Sequence, residues 1–263
     1  MRPTGRFAQF TGIRVNPRRF AGATFGAAFE IIILNVGTAP GPGKMVTTLC
    51  AFAGSMAVAL IILGLAKIRY ISPEGIVLAG VTISVMFTGA TTLIQYFADE
   101  IQLATLVFWT FGDLGNTGWG DIAFMGLVVA GAGIYHFLHR WDYNALLSGP
   151  ETAVGLGINV GRFTLLNMIL CCFTASTIVS YIGLISFIGL IAPHIVRLAV
   201  GNSHVYLIPG SLLSDAAFLL LGDLLSRTVI NPVILPIGAI TSFLGGPLFL
   251  YLLFWGGKKN ADG

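Results

Sequence analysis

Four stretches of this chain contain no Asp, Glu, Lys or Arg: residues 45–66, 75–98, 163–193 and 228–257. Each is longer than the ~20 residues an α-helix needs to cross the ~30 Å hydrocarbon core of a bilayer. Such runs leave few folds open. In lipid every backbone N–H and C=O must be satisfied internally, so only helices and closed barrels span. A barrel would show period-2 alternation in ~10-residue segments, and none is present. Composition agrees: 56% of the residues are apolar and only 10% charged, against about 25% charged in a soluble domain. The expected fold class is all-α, a polytopic membrane helix bundle.

Taken in order, residues 1–19 are basic through Arg2, Arg6, Arg14, Arg18 and Arg19. They lack the ~7–15-residue apolar core of a secretory signal and are expected to form a cytoplasmic segment. Residues 20–37 form a small-residue-rich span (AGATFGAAF) interrupted by Glu30. The following GTAPGPGK turn (37–44) fails as a phosphate-binding loop, because Thr38 and Met45 stand where Gly and Ser or Thr are required. Spans follow at 45–66, 75–98 and 122–138, with 101–111 too short to cross and expected as a re-entrant or surface helix. The uncharged run 163–193 would extend about 46 Å as one helix, so a break is expected near 183–186, with a second segment continuing to residue 200. Spans at 205–227 and 235–255 bring the count to eight. Residues 141–162 (WDYNALLSGPETAVGLGINVGR) form a long polar interruption, expected as two short helices joined at Ser148-Gly149, with Pro150 at a helix start. Cys50, Cys171 and Cys172 lie inside apolar runs without metal spacing and are expected to be packing residues.

Charge placement orients the spans. Alternating eight crossings puts 1–19, 67–74, 139–162, 197–204 and 256–263 on one side. That side carries 12 of the 14 Lys and Arg residues, all except Lys44 and Arg227. The positive-inside rule makes it cytoplasmic, with both termini inside.

Six strings then occur in one order: LAGVTIS (78–84), FWTFGDL (108–114), LLSGPETAVGLGINV (146–160), ISFIGLIAPHIVRL (185–198), GDLLSR (222–227) and LPIGAITSFLGGPLFLYLL (235–253). Together they resemble the FecCD-type (type II) permeases of ABC importers for iron-siderophores, haem and cobalamin, over roughly residues 20–257. Pro193, His194 and Arg197 carry the most recognisable of these motifs. The resemblance implies ten spans, with this sequence starting near the third. A truncated product or an unusually short homologue is the corresponding expectation.

The resemblance also implies partners and roles. A second permease copy would complete a pore, an ABC ATPase dimer would dock on the cytoplasmic face, and a substrate-binding protein would dock outside. The coupling loop would be 141–162, through Leu147, Ser148, Gly149, Glu151, Ala153, Gly155, Leu156 and Gly157. The glycines would allow tight turns and Ala153 close approach. Arg227 would be a docking contact for the binding protein, or the partner of Asp223 four residues earlier. Ser72, Pro73 and Glu74 fall where the family's inner gate is placed. His194 is expected to hydrogen-bond at an interface, and tail residues 258–263 to be cytoplasmic. The implied location is a prokaryotic cytoplasmic membrane, and the implied cargo an iron chelate, with haem or cobalamin behind it.

No His-Glu-x-x-His, Gly-x-Ser-x-Gly or Walker motif is present. The chain is therefore expected to have no catalytic site, no metal site, no cofactor and no nucleic-acid partner, with ATP hydrolysis assigned to a partner subunit. Asp215, nearer mid-span, is expected to line the pathway or to bond across helices to Ser or Thr, and the competing class is an ion-coupled secondary transporter using Asp215, or Glu30, as an intramembrane proton site. Expression together with the upstream coding region is expected to give a ten-span protein. An upstream region without an apolar reading frame would count against that.

Overall fold

Small residues at four-residue spacing decide how the first helices meet. The computed structural model describes residues 18–35, 42–66, 73–115, 117–230 and 233–259. Helix α1, Arg18–Ala28, continues as a π-helical turn, Phe29–Leu34, and packs along α2, Pro42–Ala66. Gly22 and Gly26 of α1 face Gly54 and Cys50 of α2 backbone to backbone. A Cβ on Gly26 would lie 2.0 Å from the Cys50 carbonyl oxygen, and one on Gly54 2.2 Å from that of Gly22. Without a hydrophobic driving force in lipid, van der Waals contact of this kind is what holds membrane helices together. The seam ends at Glu30, which is fully buried and receives a 2.6 Å hydrogen bond from the Thr47 hydroxyl. A mid-helix carboxylate is thus tolerated because a neighbouring span supplies a donor. Asn35 closes the turn in the left-handed conformation, its N–H donating to the Glu30 carbonyl.

The chain then runs through α3 (Pro73–Tyr96), α4 (Glu100–Phe111), α5 (Trp119–Leu138), α6 (Arg140–Leu147), α7 (Pro150–Gly155), α8 (Val160–Ile182), α9 (Ile188–Val200), α10 (His204–Thr228) and α11 (Ile237–Lys259). Helix α1 sits between α2 and α3, α8 packs on α2 and α5, and α9 packs on α10 and α11. The inner core is made of small residues, Ala27, Ala28 and Ala51, around Ile31 and Leu106. Most other apolar side chains face outward, as a lipid-bathed bundle requires.

The break in the 163–193 run falls at residues 183–187, and its cause is a crowding of backbones. Gly183 has φ +83, and a Cβ there would lie 2.5 Å from the Trp109 carbonyl oxygen and 2.9 Å from Gly112 Cα. On the other side, a Cβ on Gly238 would meet the carbonyls of Leu184 and Phe111 at 2.4 and 2.6 Å. The Asp113 N–H donates to the Ile182 carbonyl at 2.9 Å, tying the end of α4 to the end of α8. The short helix expected at 101–111 is α4, started by a reciprocal Asp99–Gln102 cap with bonds of 2.7 and 3.2 Å.

Of the eight expected spans, five are long and apolar enough to cross among the described residues: 43–65, 78–96, 119–138, 160–182 and 204–228. The other three appear as shorter apolar helices, 20–34, 188–200 and 237–251. At 1.5 Å per residue the 13-residue α9 reaches only about 20 Å. The expectations for the basic N-terminus up to residue 17, the turn at 36–41, the Lys67–Arg69 cluster, Ser72 and the tail beyond 259 lie outside the described residues, as do the side chains of Pro73, Glu74, Lys258 and Lys259.

Gly26→Leu is expected to destabilise the purified chain by about 2–3 kcal/mol or more, because overpacking against backbone cannot relax through a rotamer. Gly64→Ala, where no atom lies within 4 Å of the added carbon, should be neutral or slightly stabilising. Thermal unfolding followed by size-exclusion recovery reads both.

Candidate functional site

Two short helices separated by a glycine make the α6–α7 knob. Helix α6 ends at Leu147, where the N–H groups of Ser148 and Gly149 return to the carbonyls of Ala145 and Leu146. Gly149 takes φ +115 and ψ 150, and Pro150 opens α7 at its first position. Only glycine adopts such a conformation without strain. Ala153 is fully buried, its N–H donating to the Gly149 carbonyl. Helix α7 closes on Gly157, at φ +85, and the Ile158 N–H bonds back to the Ala153 carbonyl at 3.0 Å. Gly155 differs from the tight turn expected of it: it is helical, with open space around it. Ser148 and Glu151 are exposed. The apolar side chains of Leu147, Val154 and Leu156 are 55–67% exposed although they lie outside the spans. Exposed apolar side chains of this kind are what protein or membrane contacts cover.

The string that identifies α9 has quieter chemistry. Pro193 lies inside the helix and Arg197 in its last turn, where a cation suits the carbonyl end. His194 departs from the expected interfacial hydrogen-bonder. Its Nε2 is buried without a partner, and its ring meets Phe249 edge-on at 6.4 Å.

At the opposite end of the bundle, Arg227 Nε donates to Asp223 Oδ2 at 2.9 Å, the i,i+4 pair anticipated from spacing. This pair borders a groove of about 380 Å³ with Asp113, Gly115 and Ile234. Arg227 remains 45% exposed, so a second carboxylate can reach it. The other cation on this side, Lys44, contacts Asp121 at 3.3 Å. Asp215 lies in the middle of α10 with Oδ1 buried and unpartnered, and so is the Ser211 hydroxyl one turn earlier. None of these groups forms a cluster able to hold a metal among the described residues.

One feature escaped the reading of residues 75–98 as a merely apolar span. Ser84, Thr88, Thr91 and Gln95 fall on one face of α3 and line a groove of about 570 Å³ with Thr24 and Thr110. The hydroxyls of Ser84, Thr91, Thr24 and Thr110 donate to carbonyls of their own helices. The groove carries no charged side chain, and Phe20, Val81, Val85 and Leu184 make most of its wall apolar around these hydroxyls. The signal was available in the i, i+4, i+7, i+11 spacing of hydroxyl and amide residues.

Among the described residues, five helices long and apolar enough to cross define a polytopic membrane helix bundle. The model of the FecCD transport family matches residues 20–255, and the chain belongs to that family. A Methanocaldococcus jannaschii protein named as an ABC transporter permease is 48% identical over 238 residues, covering 88% of this chain and 68% of the relative. The hemin transport system permease of Yersinia pestis is 34% identical over 203 residues, covering 77% of this chain and 61% of the relative. The chain thus spans about two thirds of the length of these curated relatives. A solved structure of a metal-chelate type ABC transporter, in an inward-facing conformation, shares the fold at a TM-score of 0.82 and 24% identity, over 94% of this chain and 78% of that one.

Gly149→Val is expected to strain the α6–α7 turn by about 1–3 kcal/mol and to speed proteolytic nicking between residues 146 and 152. Gly155→Ala should leave the nicking rate unchanged.

Proposed function

We propose that this chain is the transmembrane subunit of an ATP-driven importer that carries a metal chelate inward across a prokaryotic cytoplasmic membrane. The observation that carries the reading is the α6–α7 knob: a rigid double turn with Ala153 buried inside it and Leu147, Val154 and Leu156 exposed at its tip. Membership of the FecCD family supplies the context. An ATPase dimer docks on this knob, and closure of the dimer on ATP pushes it. A second permease copy completes the pathway, with the apolar outer faces of the spans available for its contact. A binding protein docks at the other end through a carboxylate that shares Arg227 with Asp223. Both termini and the basic loops lie in the cytoplasm, as the distribution of Lys and Arg favours.

The cargo is a metal chelate, an iron-siderophore first, with haem and the cobalt chelate cobalamin behind it. The relative from Yersinia pestis is named for hemin. The groove on α3, apolar over most of its wall with a few hydroxyls and no fixed ion, suits a chelate with apolar faces and scattered polar groups.

A specific observation keeps a second reading in view. Asp215 is an unpartnered carboxylate in mid-span, the kind of group that serves proton-coupled transporters. One experiment separates the two readings. Proteoliposomes holding the chain with its co-encoded ATPase and binding protein are offered haemin, cyanocobalamin or ferric citrate. ATP-dependent uptake that collapses with a Walker-lysine variant of the ATPase is expected. Uptake driven by a proton gradient without ATP, and abolished by Asp215→Asn, would instead establish the second reading.

A further inference from the structure

Two adjacent side chains on α6 reach three different spans. The Tyr143 hydroxyl donates to Asn167 Oδ1 on α8. That amide orientation is assigned by the other end of the side chain, where Asn167 Nδ2 donates to the Phe163 carbonyl at 2.8 Å. His136 Nδ1, on α5, lies 2.7 Å from the same phenol oxygen. With the phenol proton committed to Asn167, Nδ1–H must be the donor in this second bond. His136 Nε2 is then left as an acceptor, 3.8 Å from Cys171 Sγ on α8. The result is a directional relay: thiol to imidazole, imidazole to phenol, phenol to amide, amide to backbone. Burial, with Cys171, Tyr135 and Asp142 nearby, pushes the Tyr143 phenol up from its ordinary value, so it stays a donor.

Asn144 completes the arrangement on the third span. Its Oδ1 accepts the His204 backbone N–H at 2.8 Å and lies 3.1 Å from the ring nitrogen Nδ1 of the same residue. His204 is the first residue of α10, and Ser203 makes no side-chain cap there. Asn144 therefore caps α10 from a separate helix, filling one of the amide vacancies that every helix start leaves. The Tyr143 ring lies between the two attachments, stacked on His204 at 5.4 Å and 5.0 Å from Phe163.

We propose that Tyr143 and Asn144 are positioning residues that lock α6 to α5, α8 and α10, so that displacement of the α6–α7 knob is delivered to three spans together. This rests on the importer reading given above. A loop tethered only by its chain ends would flex under a push. A loop whose first helix is hydrogen-bonded to two spans and caps a third turns the push into rigid-body movement. The four contacts lie on the side chains of two consecutive residues, so the lock can be opened without touching the Gly149–Ala153 turn that forms the tip.

Two readouts test it, made on the full chain assembled with its ATPase and binding protein. In hydrogen–deuterium exchange, Asn144→Ala should speed exchange in the first turn of α10 about fivefold, the effect of one lost hydrogen bond. Asn144→Asp, which keeps the acceptor, should hold the wild-type rate. In proteoliposomes with haemin, cyanocobalamin and ferric citrate as probes, Tyr143→Phe combined with Asn144→Ala should raise ATP hydrolysed per chelate imported about fivefold, at an unchanged amount of bound ATPase. Asn144→Asp by itself, with Tyr143 intact and the acceptor kept, should leave the ratio at the wild-type value. Tyr143→Phe alone, which keeps the stacked ring and removes the relay, serves if the double variant does not assemble and should raise the ratio in the same direction. Wild-type exchange in Asn144→Ala would overturn the cap, and a wild-type ratio in these variants would overturn the transmission role. A wild-type complex with no ATP-driven uptake would overturn the importer reading, and this inference with it.

Discussion

The contact on which the bundle rests is a line of backbone atoms, not side chains. Gly22, Gly26 and Gly54 bring α1 and α2 so close that any added carbon would stand 2.0–2.5 Å from a carbonyl oxygen. Apolar side chains cannot drive helices together in lipid, since they are equally well solvated by acyl chains; close approach and polar contacts must do so. Once α1 and α2 are held at this distance, Glu30 and Thr47 are forced to meet, and one oxygen of the buried carboxylate gains a donor while Oε1 stays unpartnered. A second polar pair, Ser55 and Ser176 at 2.8 Å, fastens α2 to α8 on the same principle.

The same device recurs at the bend between α8 and α9. Gly112, Gly183 and Gly238 let the ends of α4, α8 and α11 pass each other at backbone distance. Irregular backbone at membrane depth is allowed only where protein covers it. Here the Ile182 carbonyl is bonded by the Asp113 N–H, and the Leu184 carbonyl is shielded against Gly238. The two glycine nodes therefore make different parts of the molecule possible: one a close helix pair, the other a turn inside an apolar slab.

Much of this was legible from the residues. Three of the four charge-free runs gave long spans, at 43–65, 78–96 and 160–182, and the excess length of 163–193 located the break to within a few residues. The Ser148-Gly149-Pro150 sequence gave the double turn of the knob, and the four-residue interval from Asp223 to Arg227 gave their ion pair. What stayed hidden is non-local. Nothing in WDYNALL says that Asn144 caps a helix beginning sixty residues later, because the cap joins residues that only the tertiary fold brings together. His194 looked polar and interfacial beside Pro193, yet the packing of α9 on α11 encloses its Nε2. Gly155 looked like a turn glycine by composition, but the turn closes two residues later at Gly157.

The shortness of α9 bears on how it is held in the membrane. A helix of about 20 Å leaves roughly a third of the hydrocarbon thickness uncrossed. Its neighbour α10 carries Asp215 in its middle, and a lone aspartate there costs about 2.5–3.5 kcal/mol on insertion. Of the two, α10 is long and apolar enough to cross, whereas α9 is not. Joined by only Gly201–Ser203, and packed so closely that a Cβ on Gly210 would touch Val196 at 2.7 Å, they form a tight helical hairpin. The short α9 thus depends on α10 and α11, the helices it packs against, to be held in the bundle.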